Sequence, residues 1–372
     1  MKNKPKIAIS ARGLGRVFSG PNSYTENFTR ELIRQAQDFE IHIYYNSSES
    51  LGIFKNAVEH VLPSSNIFIW DHVLLPQQLR RDAISLTIFP KGTISFGLAC
   101  KAIPIMLDLG YFYSKLNPYR KLNTIYMKQA MKFSAHRATG IFTISEYTRQ
   151  DVIRLLCIPP EKVLNILGAA SETYHPVKDL SYLDEVRARY DLYEPFIFFP
   201  TNISPRKNFP RLLDAFELVQ NQISHHLYFT GSVAWNTDDV IRRLNGSISE
   251  RVHQLGEVPF EDMAALYTLA QFAIYPSLFE GLGLPVLEAF QCGAPIIVSN
   301  ETSLPEITGN AAFIVDGYST ESIAQGIIRL ATDAELRSQL KRKGFAQAKR
   351  FTWKKTVSKA ISYIKTQMLL HE

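Results

Sequence analysis

The chain has 372 residues, 46% of them hydrophobic, and 41 Lys and Arg against 35 Asp and Glu give a net charge of +6. At roughly 100–200 residues per domain, that length fits two domains, and the composition excludes a disordered or fibrous chain. The mild positive charge suits an anionic ligand or surface, and the lack of a long Lys/Arg block argues against nucleic acid. Cys100, Cys157 and Cys292 are scattered and odd in number. They argue against a disulfide framework or a zinc site and for a reducing cytosol. The apolar run near the amino end is too short for a signal peptide. Lys101 and Pro104 interrupt the longest apolar stretch, 94–107, so it cannot span a bilayer.

Short β-rich runs alternate with amphipathic patterns. Strands are expected at 6–10, 41–45, 85–89, 103–107 and 140–145, with helices at 23–35 and about 119–135. The polar stretch 174–192 reads as a linker with a short helix at 182–190. A second series follows. Its expected strands are 196–199, 226–230, 252–255, 272–275, 295–298 and 313–315. Its helices are 210–221, 238–245, 261–270, 285–291, 320–331, 336–350 and 353–369. Such alternation means parallel sheets covered by helices on both faces. The expected organisation is an α/β chain of two doubly wound halves, 1–173 and 193–352, joined by 174–192, with a final helix over 353–372.

The stretch 275–299, YPSLFEGLGLPVLEAFQCGAPIIVS, carries the chemistry. A strand ends at Tyr275, and the loop after it holds Glu280, Gly281 and Gly283. Pro285 suits the first helical position, and Glu288 lies a turn further on. Glycines let the backbone approach a ligand closely. A helix amino terminus attracts a diphosphate, and carboxylates accept hydrogen bonds from sugar hydroxyls. In TNISPRKNF (201–209), Arg206 and Lys207 form a cation pair fit to hold a diphosphate.

With CGAPIIVSN and SLPEITGNAA, this E-x7-E pattern resembles the family-4 retaining glycosyltransferases of GT-B fold. The resemblance covers nearly the whole chain and is most specific in its carboxy-terminal half. It implies two Rossmann-like domains facing across a cleft, with the C-terminal helix crossing back to the first domain. Glu288 then matches the contact to the donor ribose, and Glu280 the group beside the transferred hexose. Gly281, Leu282, Gly283 and Leu284 match backbone donors to sugar and phosphates. Arg206 and Lys207 match the SPRKN loop, although Thr201 stands where the family often has glycine. Gly231 in LYFTGS and Gly256 and Val258 in HQLGEVP match loops around the nucleobase. In the glycine-rich stretch 13–28, Gly20 and then Gly15 match the loop facing the donor phosphates. FPKGTISF with Lys91, IPIMLDLGYF with Asp108, and TISEYTRQDV with Ser145 match acceptor-side loops. Leu107 replaces the histidine that commonly precedes the aspartate.

The implied activity is transfer of a mannose- or rhamnose-like hexose from a nucleoside-diphosphate sugar to a glycan or polyprenyl-diphosphate-linked acceptor. It proceeds with retention and without a metal or other cofactor, in bacterial surface polysaccharide synthesis. Three alternatives stand beside it. They are a nucleotide-sugar 2-epimerase, a nicotinamide oxidoreductase, which would need a full dinucleotide fingerprint, and a non-catalytic nucleotide-sugar-binding partner subunit. Finally, 109–145 contains no Asp or Glu but holds Lys115, Arg120, Lys121, Lys128, Lys132 and Arg137 among aromatic residues. That pattern suits peripheral contact with an anionic membrane from the cytoplasmic side or a polyprenyl-diphosphate acceptor, and equally a solvated helix face over a buried aromatic stripe.

Overall fold

The computed structural model describes residues 4–15, 19–113, 121–231, 238–244, 246, 248 and 250–369. Arg16, Val17, Phe18, Lys115, Tyr119, Arg120, Ser232 and Asn245, which belong to segments singled out above, lie outside them. The chain forms two compact units. One comprises 1–112, 119–169 and 352–372, the other 113–118 and 170–351.

The first unit is built on seven strands: β1 (Lys6–Ser10), β2 (Glu40–Tyr45), β3 (Val58–Val61), β4 (Leu86–Phe89), β5 (Lys101–Met106), β6 (Ile141–Thr143) and β7 (Val163–Asn165). Their order is β3-β2-β1-β4-β5-β6-β7, all parallel. Central strands are apolar on both faces because helices cover both. The helix Trp353–Leu369 belongs to this unit and packs on the helix Gly20–Gln35. Trp353 meets Tyr24 edge to face at 5.0 Å between ring centres, and Lys365 pairs with Asp38.

The second unit holds β8 (Phe196–Phe199), β9 (His226–Phe229), β10 (Val252–Gln254), β11 (Phe272–Tyr275), β12 (Ile296–Ser299) and β13 (Phe313–Val315). The order is β10-β9-β8-β11-β12-β13, again all parallel. In each sheet the direction of winding reverses once, between β1 and β4 and between β8 and β11. Loops leaving the carboxyl ends of those neighbours frame the crevice where doubly wound folds bind ligands.

Three regions differ from the sequence expectation. Strands β3 and β7 are too short, and β3 too polar, to stand out as apolar runs. The helical stretch 67–81 contains a five-residue π-type turn, Trp70–Leu74, that blurs a 3.6-residue period. The stretch 174–192 is packed structure of the second unit: its helix Leu180–Arg189 buries Leu183 and Val186. Buried Asp262 on the helix Phe260–Leu269 draws it in, accepting from Tyr182 and Tyr190 hydroxyls at 2.6 Å each and from Arg189 at 2.7 Å. Burial alone would raise the Asp262 pKa. These donors outweigh it and hold the carboxylate below its usual range. Asp262→Ala should therefore cost about 1.5–3 kcal/mol, the scale for losing hydrogen bonds to a charged group. A lower urea midpoint with unchanged slope would report it; an unchanged midpoint would show that the clamp contributes nothing.

Candidate functional site

In the second unit the loops after β8 and β11 meet at the switch point. Lys207, in the short turn Pro205–Lys207, is buried with 7% of its side chain accessible, and its ammonium lies 2.7 Å from Glu280 Oε1. The same oxygen accepts from the Ser277 hydroxyl at 2.7 Å and the Tyr275 hydroxyl at 2.9 Å. Lys207 also bonds the Tyr275 hydroxyl. Arg206 is looser, 3.5 Å from Glu280 Oε2 and one-third exposed. Burial alone would push the Glu280 pKa up. Lys207 first, then Arg206, reverse that and hold it at about 2.

Backbone contacts lock the loops together. The Arg206 carbonyl accepts from the Leu278 amide at 2.7 Å. Asn208, in the left-handed region at φ 61°, donates to the carbonyls of Pro276 and Gly317. The Glu280 amide donates to Thr302, and Ser303 donates to the Glu280 carbonyl.

The helix Leu284–Cys292 begins immediately after this loop. Gly283 is its N-cap at φ 88°, and a Cβ there would stand 2.7 Å from Leu304 Cδ2. The left-handed φ is what favours glycine here. Pro285 is the second helical residue rather than the first, where a missing N–H is equally harmless. Gly281 and Leu282 are buried in the loop, and Leu284 opens the helix half-buried. Glu288, one turn in, is half-buried and accepts from the Tyr267 hydroxyl at 3.1 Å, while Tyr174 also bonds it. Burial dominates there, and the pKa rises to about 7 despite both tyrosines.

At the carboxyl ends of β9 and β10, the Gly231 amide donates to the Gly256 carbonyl at 2.6 Å. Gly231 has φ 83°, and a Cβ would come 2.9 Å from the Asn202 Cα, so the loops after β8, β9 and β10 close on one another. Val258 is half-buried, just before the helix Phe260–Leu269.

The first unit repeats the pattern at its own switch point. Lys91, after β4, donates to the Arg12 carbonyl, after β1, at 2.5 Å. Burial first, then Arg12, lower its pKa to about 8. Gly15 lies in the loop after β1, and Gly20 opens the helix Gly20–Gln35, capped by Ser19. Asp108 accepts from the Gly110 amide at 2.8 Å and shapes the turn after β5. Ser145 is fully buried and caps the helix Glu146–Leu156 through the Thr148 amide. Its hydroxyl is committed to that structural task.

Sequence reasoning missed Tyr275, Ser277, Tyr174 and Tyr267. A tyrosine on the doubly covered strand β11 had to find a polar partner, which was a usable signal for Tyr275. Nothing local placed Tyr174 beside Glu288. Among the described residues, one group could hold a metal ion: His42, His60 and Asp82. Its imidazoles meet nitrogen to nitrogen at 2.9 Å, His42 also facing Glu40 at 2.7 Å. That arrangement satisfies both nitrogens of His42 and one of His60 by hydrogen bonding, on β2 and β3 and outside the switch-point loops.

The folded-state pKa of Glu288 stands above the ordinary 4.5, so the folded state holds its proton more tightly. Its contribution to stability is complete below about pH 4.5 and is lost as pH rises through about 7. Glu288→Gln should flatten the decline of melting temperature across that window. An unaltered pH profile would contradict the assignment.

Residues 185–347 match the family model described as glycosyl transferases group 1. The chain is 32% identical over 244 residues to the O-antigen chain mannosyltransferase B of Escherichia coli, covering 64% of each chain. It thus spans just under two thirds of that relative's length. A glycosyltransferase structure from Rickettsia africae superposes with a TM-score of 0.75 at 14% identity, covering 98% of this chain and 99% of that one. The Anabaena HepE structure in complex with UDP and glucose gives 0.73 at 15%, covering 97% and 100%. The chain therefore has the GT-B fold of these structures, and its residues 185–347 are similar to the glycosyl transferases group 1.

Proposed function

We propose that the protein transfers a mannose-like hexose from a nucleoside-diphosphate sugar to a growing glycan on a lipid carrier, with retention and without a divalent metal, in bacterial surface polysaccharide synthesis. The observation that carries this is the buried Lys207–Glu280 pair at the β8/β11 switch point, with Arg206 beside it and a helix amino terminus one residue beyond the loop. Arg206, Lys207 and that helix end supply positive charge for a leaving diphosphate. Glu280, kept ionised by Lys207, accepts from hexose hydroxyls and orients the sugar. Glu288 accepts from the ribose hydroxyls, while the loops at Gly231, Gly256 and Val258 border the base. The similarity to an O-antigen mannosyltransferase supports the sugar and the setting. The cationic pair offers charge stabilisation that a metal would otherwise provide.

Proton NMR of the product formed from an α-linked nucleoside-diphosphate mannose should show an α-mannoside, and chelator should leave the rate unchanged. A β-linked product or loss of turnover with chelator would overturn the corresponding part of the reading. Lys207→Ala should lower turnover about 100- to 1000-fold, the scale for removing one group that stabilises developing charge. Unchanged turnover would remove the pair from the mechanism.

A further inference from the structure

The first unit carries a surface that donor chemistry leaves unused. The helix Lys121–Arg137 buries only Met131, Ser134 and Ala135. It turns Leu122 (83% exposed), Ile125 (59%), Tyr126 and Phe133 outward. Positions 122, 125, 126 and 133 share one helical face, so an apolar stripe lies on the side away from the core. The exposed start of the 67–81 stretch, with Ile67 and Phe68, adds to it.

Ring contacts join the two elements into one patch. Phe68 meets His72 at 4.6 Å between centres, His72 meets Phe96 at 4.2 Å, and Phe96 meets Phe133 at 4.7 Å. Connected apolar exposure of this kind marks an interaction surface, unlike scattered single residues.

The charge on this face has one sign. Lys121, Lys128, Lys132 and Arg137 accompany the stripe, and no acid occurs anywhere in 109–145. Asp71, the acid of the 67–81 stretch, is paired with Arg12 at 2.8 Å. A second copy of the chain docking here face to face would set cations against cations. Nucleic acid would match the charge but has no use for exposed aliphatic groups such as Leu122 and Ile125. Apolar side chains flanked by cations fit the boundary between acyl chains and anionic headgroups. Among the described residues no helix is long and apolar enough to cross a membrane, which leaves the interfacial mode.

We infer that this face seats the protein on an anionic lipid bilayer. The inference rests on the lipid-carried-acceptor reading for its purpose, but the surface itself is independent of donor chemistry. The full chain should float with phosphatidylglycerol-containing vesicles at low salt and not with pure phosphatidylcholine. High salt should release it. Leu122→Glu with Ile125→Glu, and separately Lys121→Glu with Lys132→Glu, should each weaken vesicle binding at least about tenfold, given the free energy each interfacial cation contributes. All four positions are exposed, so melting temperatures should hold.

Transfer to a water-soluble acceptor glycan, measured in parallel, separates the two readings. Flotation without transfer leaves the surface standing and defeats the enzymatic proposal. Failure to float on anionic vesicles at low salt overturns the surface assignment. So does binding that survives both pairs of substitutions, or a dimer broken by Leu122→Glu in a chain that ignores vesicles.

Discussion

A carboxylate buried at the end of a parallel sheet is tolerable only with a cation beside it, and Glu280 has Lys207. Isolated charges cost several kcal/mol to bury, and a well-made pair roughly offsets that cost without contributing much net stability. The pair's value lies in position. It ties the loop after β8 to the loop after β11, where the winding of the sheet reverses. Tyr275 and Ser277 converge on the same Glu280 oxygen as Lys207. Asn208, Thr302 and Ser303 then hold the surrounding backbone. Positive and negative charge are thus fixed before any ligand arrives, as electrostatic preorganisation requires.

The two glutamates of the E-x7-E motif occupy opposite electrostatic environments. Glu280 sits among cations and is held ionised to about pH 2, whereas burial raises the Glu288 pKa to about 7 despite the hydrogen bonds from Tyr267 and Tyr174. Similar side chains eight positions apart have therefore become a permanent anion and a group whose charge varies around neutrality. The first unit uses its switch point in a related way, with Lys91 crossing from the loop after β4 to the loop after β1. There the lysine donates to a carbonyl, and burial first, then Arg12, lowers its pKa.

Alternating apolar runs and amphipathic helices made the two parallel sheets readable, because strands covered on both faces are apolar throughout. The motif residues were also readable as candidates, since glycine, proline and glutamate at those spacings have local chemical reasons. Their mutual geometry was not. Lys207 and Glu280 stand 73 residues apart, and only the adjacency of β8 and β11 brings them together. Tyr174 was hidden for the same reason, in a polar stretch that resembled a linker until Asp262 gave its helix a partner. Ser145 matched an acceptor-side loop by motif; in the structure it is buried and caps the helix Glu146–Leu156. The outward-facing stripe on Lys121–Arg137 could not be separated from a core stripe by periodicity, which identifies faces but not what they face.

The central claim is that Lys207 and Glu280 act as one preorganised unit in sugar transfer. A double-mutant cycle on donor turnover tests it most directly, using Lys207→Ala, Glu280→Gln and the two combined. The account predicts strong non-additivity, with the double variant losing little more than Lys207→Ala alone. Losses that multiply would contradict it, because they would show two groups acting independently.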